Sequence, residues 1–480
     1  MFGTGRMQPA RLGALLALCA AAFAAPAQQP ADPATSPALR PIDEVLDEYV
    51  SQALYGNLAL QRQELSVEQS LAALDEARGQ YLPQASFESR FSRAEGGRTI
   101  SLPLGNLLNP VYATLNELLA SQGRTPAFGS VDNAEFLFLR DQEQQTGVRV
   151  VQPLYAPEIT AGVRARKAQA RTEEATLDTL ARTLARDVRT AYHTWLRARH
   201  GLAIVDASEV LLQENLRVTE SLFNNGKITR DQVLRAQAEL LEVQQQRVSA
   251  ANAQEVARSY FNFLLNRPLQ SAIEEAAVRE RPAALRPLAD LQAQALEQRS
   301  ELRELQSAAD VAQAQVSLAN ARFKPTVALA VESGYQGEEY RFGTEDDYAI
   351  ASLTFRWNIF NGNQDRARLS QARLAARSVG LQQEDARNRI SLEVEQTEGD
   401  LRTAITALGT ARARQDAARE GYKIAERKRD AGVISQVEFL DARTTLTRAE
   451  LNYTVTVFDL LTREAELQYA LGIPATMDSP

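Results

Sequence analysis

The 480-residue chain carries 53 Lys and Arg against 61 Asp and Glu, a formal charge of −8. It offers no basic face for neutralising phosphates, which excludes nucleic acid as a partner. No stretch beyond the amino-terminal segment approaches the ~20 consecutive apolar residues of a membrane-spanning helix, so any entry into a membrane would be made by strands.

Arg6 and Arg11 precede an apolar run from Leu12 to Ala27 that ends in Ala25-Pro26-Ala27. This pattern predicts a secretory signal peptide over residues 1–27 with an A-x-A cleavage site. Cleavage after Ala27 removes Cys19, the only cysteine, and leaves a mature chain with no thiol for disulfide, metal or nucleophile chemistry. The alternative is a lipoprotein anchored at Cys19; against it, Leu18 sits where the lipoprotein peptidase takes a small residue.

A helical pattern then closes at Ala77-Arg78-Gly79-Gln80-Tyr81-Leu82-Pro83 and gives way to an alternating strand, about 84–93. There Ala85, Phe87, Ser89 and Phe91 face one way and Ser86, Glu88, Arg90 and Ser92 the other. A long hairpin loop over 94–145 holds an amphipathic helical pattern, with Val111, Leu115, Leu118 and Leu119 on one side following Pro110. The second strand, about 146–155, is less regular: Val148, Val150, Gln152 and Leu154 share a side, but Val151 interrupts the polar one.

From about Thr160 to Phe223 there is no proline, and Leu177, Leu180, Leu184, Val188, Ala191, Trp195 and Leu202 form a helical stripe. Roughly 64 residues at 1.5 Å rise would reach ~95 Å, several times the hydrocarbon thickness of a bilayer. The chain is expected to reverse near Gly226 and return on another helix to Leu265. A proline-bearing linker follows at 269–290, with Pro282 and Pro287.

The remainder repeats this plan, so residues 28–268 and 291–474 read as two tandem repeats, with 475–480 a short tail. Pro83 answers to Pro325 at an offset of 242 residues, each after a helix that ends in an aromatic. Gln152-Pro153-Leu154-Tyr155 answers to Trp357-Asn358-Ile359-Phe360, and Gly226, Ile228, Leu234, Leu240, Leu265 and Pro268 pair with Gly432, Ile434, Leu440, Leu446, Leu471 and Pro474 at a constant offset of 206. The second repeat's strands fall at about 326–334 and 348–360, the latter setting Leu353, Phe355, Trp357 and Ile359 against Ser352, Thr354, Arg356 and Asn358.

Alternation alone fits a half-buried strand in a soluble sandwich as well as a strand in lipid. In lipid, four strands from one chain leave two unpaired edges, and each orphan backbone group there costs several kcal/mol. The smallest single-chain barrels use eight strands, so four would have to be pooled with other copies. The helices carry narrow stripes amid Ala, Gln, Arg and Glu, as coiled-coil members do. A soluble periplasmic coiled-coil adaptor would account for these helices but not for the strand pairs.

The doubled order of helix, aromatic-x-Pro, strand pair, long helix, glycine turn and returning helix resembles the TolC family of outer-membrane efflux and type I secretion channels. The resemblance implies an α+β membrane protein acting as a homotrimer, in which four transmembrane strands per chain build a twelve-stranded β-barrel continuous with an α-barrel of long antiparallel helices. It implies a passive export duct, not an enzyme, that works with a periplasmic adaptor docking near the turns at Gly226 and Gly432 and with an inner-membrane RND or ABC transporter. Matching the family's Gly-x5-acidic-x2-Asp-Ala pattern places Glu438 and Asp441 at a periplasmic constriction, with Asp231 and Gln232 at the first-repeat turn. Where the family's best-known member uses a tyrosine and an arginine for gating contacts, this chain has Arg429 and Ile434. Phe87, Phe91, Tyr155, Trp357 and Phe360 suit interfacial girdles, and the 94–145 loop is expected to cover the outer mouth or lie between protomers.

No cofactor or metal is expected. His193 and His200 are the only histidines and stand seven residues apart, too far to share an ion, with no ligand-spaced carboxylate beside them.

Overall fold

The computed structural model describes residues 39–278 and 286–475. The expected signal peptide, Cys19, Pro282 and residues 476–480 lie outside the described residues.

Two helices, α1 (Ile42–Gly56) and α2 (Leu58–Gly79), lead into β1 (Gln84–Arg93). An insert of β2 (Thr99–Leu102), α3 (Leu104–Ser121) and β3 (Ala134–Leu137) precedes β4 (Gln142–Tyr155). The 68-residue α4 (Pro157–Asn224) rises ~100 Å and is answered by α5 (Arg230–Leu264). Pro157 occupies the first turn of α4, where its missing N–H would have had no helical partner. The second repeat runs through α6 (Leu288–Gln298), α7 (Ser300–Ala321), β5 (Thr326–Gly337), β6 (Asp347–Arg356), α8 (Gln364–Asp430) and α9 (Gln436–Ala470).

The two copies share their joints. α1 breaks from α2 at Asn57 and α6 from α7 at Arg299, positions 242 apart. Asn57 Nδ2 donates to the Leu264 carbonyl at 3.0 Å, and Arg299 Nη1 to the Ala470 carbonyl at 3.3 Å, acceptors 206 apart. All four long helices end the same way. At Gly226, Asn266, Gly432 and Gly472 φ is positive, and in each case two N–H groups turn back onto carbonyls of the last helical turn, as from Gly432 to Arg429 at 2.8 Å and Val433 to Lys428 at 2.9 Å. Glycine fits that conformation without a Cβ clash, which is why the turns were visible in sequence.

β1, β4, β5 and β6 form one antiparallel sheet in that order, so β4 and β5 join the repeats while β1 and β6 are left as edges. The register aligns Ala85, Val150, Val331 and Ala351 across all four strands, and Leu329 against Leu353, giving one face that is mostly apolar. Phe87, Phe91, Val148, Leu353 and Phe355 stand exposed on it. The opposite face carries Glu88, Arg90, Gln145, Arg149, Glu332 and Tyr348, linked by Arg90 to Gln145 at 3.0 Å and by the Tyr348 hydroxyl to Glu332 at 2.7 Å.

Three expectations need correction. β4 begins at Gln142, not 146, because Gln144 and Gln145 continue the ladder opposite Phe91 and Arg90. β6 ends at Arg356, so Trp357 and Phe360 are not strand residues. Arg356 pairs with Thr326, the first ladder residue after Pro325, which leaves residue 357 no ladder partner; the loop is held by Asn358 and Asn361 donating to the buried Asp365 at 3.0 and 2.7 Å. The loop over 94–145 contains β2, α3 and β3, and α3 starts before Pro110 and not after it. Pro110 removes only one helical N–H, the one that would have reached Asn106 on an exposed side.

Burial is concentrated at the waist, where Tyr49, Tyr192 and Phe261 pack with ring centroids 5.0 to 5.8 Å apart. The accessible surface is 32550 Å², against ~18,000 Å² for a compact monomer of this mass. The long hairpins therefore present surface that a single chain does not bury.

Gly147 and Gly334 face each other between β4 and β5, and a Cβ on Gly334 would run into the Thr146 carbonyl and the Gly147 backbone. Gly334→Ala should cost at least the ~1–3 kcal/mol of an overpacked site. The amount of assembled protein in outer-membrane fractions is expected to drop sharply for Gly334→Ala and less for Gly147→Ala.

Candidate functional site

The two helical hairpins end at neighbouring turns, Asn225–Thr229 and Ala431–Ser435, opposite the sheet. The second turn is the more tightly built. Ser435 caps α9, its hydroxyl accepting from the Glu438 N–H at 3.3 Å, and Glu438 occupies the third helical position of a Ser-x-x-Glu box. Phe439 is fully buried, packed on Tyr422 at 5.8 Å and roofed by the Arg429 guanidinium at 4.1 Å from its ring centre. Arg429 is in turn held by Asp430 at 2.9 Å. Gln436 Nε2 donates to Asn215 Oδ1 at 2.8 Å, fastening the start of α9 to α4. Burial and then Glu426 push the Tyr422 phenol above its ordinary range.

Glu438 and Asp441 are both exposed on one side of α9, away from the buried Phe439 and Leu440. Asp231 is exposed and Gln232 half-buried at the start of α5. Gly226 and Gly432 hold φ of 68° and 70° at the two turns. His193 and His200 do not join a ligand set, and among the described residues no three His, Cys, Asp or Glu cluster as a metal site would need. Burial and the nearby Arg189 lower His193 to about 3, so it is neutral at physiological pH.

The aromatics fall at two levels of the sheet. Tyr155 ends β4, and Trp357, whose Nε1 donates to the Phe323 carbonyl at 3.1 Å, and Phe360 follow β6 at the same end. Phe87 lies between the levels, and Phe91 stacks on Tyr340 at 6.4 Å toward the far end, where Tyr335 and Phe342 also meet. Phe91 pairs with Gln144; at ~3.4 Å per residue, the path from there to Tyr155 is ~37 Å. A barrel tilt of ~40° would reduce this to ~28 Å, close to the ~25 Å height of the apolar band of outer-membrane barrels.

The insert is latched on itself. Asn109 exchanges two bonds with the Val131 backbone, at 2.8 and 2.9 Å, and Asn116 bonds the Ala127 and Phe128 backbone, two helical turns further along the same face. Leu107, Val111, Leu115 and Leu118 remain exposed beside that face.

Sequence reasoning missed Asn215, a buried amide whose Nδ2 has no partner, and the stacking of Arg429 on Phe439. Both are contacts between separate helices with no local pattern, whereas the Ser435-x-x-Glu438 box is a local signal that was open to reading.

A sequence model described as "Outer membrane efflux protein" matches residues 49–267 and 291–473. The chain belongs to that family. It is an outer-membrane channel of an efflux or type I secretion system, extending into the periplasm, and not a soluble adaptor. Among curated proteins it is 24% identical over 334 residues to alkaline protease secretion protein AprF of Pseudomonas aeruginosa, covering 67% of this chain and 68% of that one. Among solved structures, the CmeC outer membrane channel of Campylobacter jejuni superposes with a TM-score of 0.75 at 16% identity, covering 89% of this chain and 86% of the other. The open-state MtrE channel of Neisseria gonorrhoeae superposes at 0.70 and 18% identity, covering 91% of each. These likenesses place this efflux-family chain in a shared two-repeat fold.

Because Asn215 and Gln436 are the two ends of one bond, Asn215→Ala, Gln436→Ala and the double variant should speed amide exchange at the α8/α9 turn by similar factors. Additive increases would mean that the two side chains act independently.

Proposed function

We propose that three copies of the chain close into a twelve-stranded barrel and a continuous helical duct that carries substrate passively from the periplasm to the exterior. The observation that carries this is the four-stranded sheet with one apolar face, one polar face and two free edges. β1 and β6 run in opposite senses within the sheet, so β6 of one copy meets β1 of the next as an antiparallel pair, and the ring closes with no edge left in lipid. Two copies would give eight strands, whose interior side chains fill; three leave room for a water-filled passage.

Energy comes from an inner-membrane RND or ABC transporter, joined by a periplasmic adaptor that docks near Gly226 and Gly432. The likeness to a protease secretion protein supports a type I secretion role, and the efflux family supports small-molecule export; the duct geometry is common to both. The aromatic levels at Phe91 and at Tyr155, Trp357 and Phe360 are the two membrane interfaces.

Glu438 and Asp441 line the periplasmic constriction. In a trimer six carboxylates gather at a narrow mouth and concentrate cations. Glu438→Gln keeps a capping-box residue at that position while removing its charge. In planar bilayers, Glu438→Gln with Asp441→Asn should lower the cation-to-anion permeability ratio several-fold without reducing the number of inserted channels; an unchanged ratio removes these residues from the constriction.

A further inference from the structure

Where the sheet gives way to the helices, the chain forms a cleft that the duct itself does not need. It lies between the end of β4, the first two turns of α4 and the end of α7, holds about 400 Å³, and is lined by Leu154, Tyr155, Thr160, Arg164 and Lys324 among others. It sits beneath the central strands β4 and β5, not at the free edges β1 and β6.

The register fixes which side of the sheet the cleft opens on. The bulge between Pro153 and Tyr155 sets Tyr155 opposite Val327, and Val327 opposite Phe355, on the apolar face. Leu154 and Tyr155 are 57% and 47% exposed there. The cleft therefore opens beneath the face proposed to meet lipid, at the rim marked by Tyr155, Trp357 and Phe360.

Its charge is all positive. The Arg164 guanidinium and the Lys324 ammonium both line it, both are exposed, and among the described residues neither is ion-paired or hydrogen-bonded through its side chain. Among the described residues no carboxylate lines the cleft. The Thr160 hydroxyl accepts from Tyr81 at 3.0 Å, which leaves its own proton to give. Two like charges in one cleft repel, and an anion between them relieves the repulsion. Arg164 is seven residues into α4, ~10 Å from the strand end. Helical side chains lean back toward the helix N-terminus, so the long stem carries the guanidinium up toward the ~5–7 Å headgroup layer. The other repeat supplies a contrast: Leu82 stands where Lys324 does and Leu369 where Arg164 does. The two cations are thus a property of this one joint and not a requirement of every strand-to-helix passage.

We propose that the cleft binds the phosphate of an anionic glycerophospholipid in the periplasmic leaflet, with the acyl chains lying up the apolar face past Leu154 and Tyr155. Basic pockets between helices at a membrane surface hold such headgroups. The proposal rests on the lipid-facing sheet proposed above and adds one headgroup site to it. With no carboxylate in the lining, a headgroup amine finds no counter-charge, so phosphatidylglycerol is preferred over zwitterionic phosphatidylcholine.

The chain carries its own reporter. Trp357 Nε1 donates to the carbonyl of Phe323, next to Lys324, whereas the only other tryptophan, Trp195, is buried at the waist. In phosphatidylcholine bilayers, brominated phosphatidylglycerol should quench Trp357 at a mole fraction about 25-fold lower than brominated phosphatidylcholine does, taking about fivefold for each cation. Arg164→Gln and Lys324→Gln should each remove about fivefold of that preference, and the double variant all of it; Arg164→Lys should keep it. Arg166→Gln, whose side chain bonds Gln169 outside the cleft, should change nothing. Inorganic phosphate should not reverse the quenching. Equal quenching by the two lipids, a preference that survives the double variant or vanishes with Arg166→Gln, or full reversal by free phosphate overturns the headgroup site and leaves the lipid-facing sheet standing. Failure of both brominated lipids to quench Trp357 overturns the lipid-facing reading itself.

Discussion

The backbone of β1 and β6 sets the terms for the rest of the molecule. Each strand is paired on one side only, and in hydrocarbon no water is present to bond the N–H and C=O groups on the other. The apolar face assembled by the register leaves the sheet suited to lipid on one side and water on the other, which makes the edges the unresolved part of the design. Only another sheet can satisfy them. The helices face a milder form of the same problem in water: α5 and α8 carry surfaces whose repeat equivalents are buried within the chain. Strand edges and helix faces thus make the same demand for further copies.

Duplication explains how one chain supplies such long continuous walls. A unit of two short helices, two strands and a helical hairpin occurs twice, with joints at Asn57 and Arg299, and at Gly226 and Gly432, placed alike. Where the repeats part company, specialised roles follow. The first carries the self-latched insert with α3, while the second has only a short connection between β5 and β6. The second repeat alone has two carboxylates at the head of its returning helix, Glu438 and Asp441, and it alone has an aromatic there, Phe439, buried under Arg429. The second turn is also fastened to α4, through Gln436 and Asn215.

Most of this architecture could be read from sequence because it rests on local rules. Glycine at positive φ, proline after an aromatic, period-two alternation and proline-free helical stripes are each set within a few residues, and the constant offset of 206 multiplied their weight. What escaped depends on partners distant in sequence. β6 stops at Arg356 because its neighbour begins at Thr326, although the alternation runs on through Trp357 and Ile359. β4 starts early because Gln144 and Gln145 find partners on β1, a gain that polar residues do not advertise. The proline rule misplaced the start of α3, since one lost bond on an exposed face was tolerable. At the turn, Glu438 and Asp441 were singled out by family pattern, whereas the Asn215–Gln436 tie needed coordinates.

The most direct test is amide hydrogen exchange, residue by residue, on the protein reconstituted in lipid nanodiscs. If neighbouring copies seal the sheet, the outward N–H groups of β1 and β6 will be as protected as those of β4 and β5. Rapid exchange along both edge strands, with the central pair protected, would contradict the account.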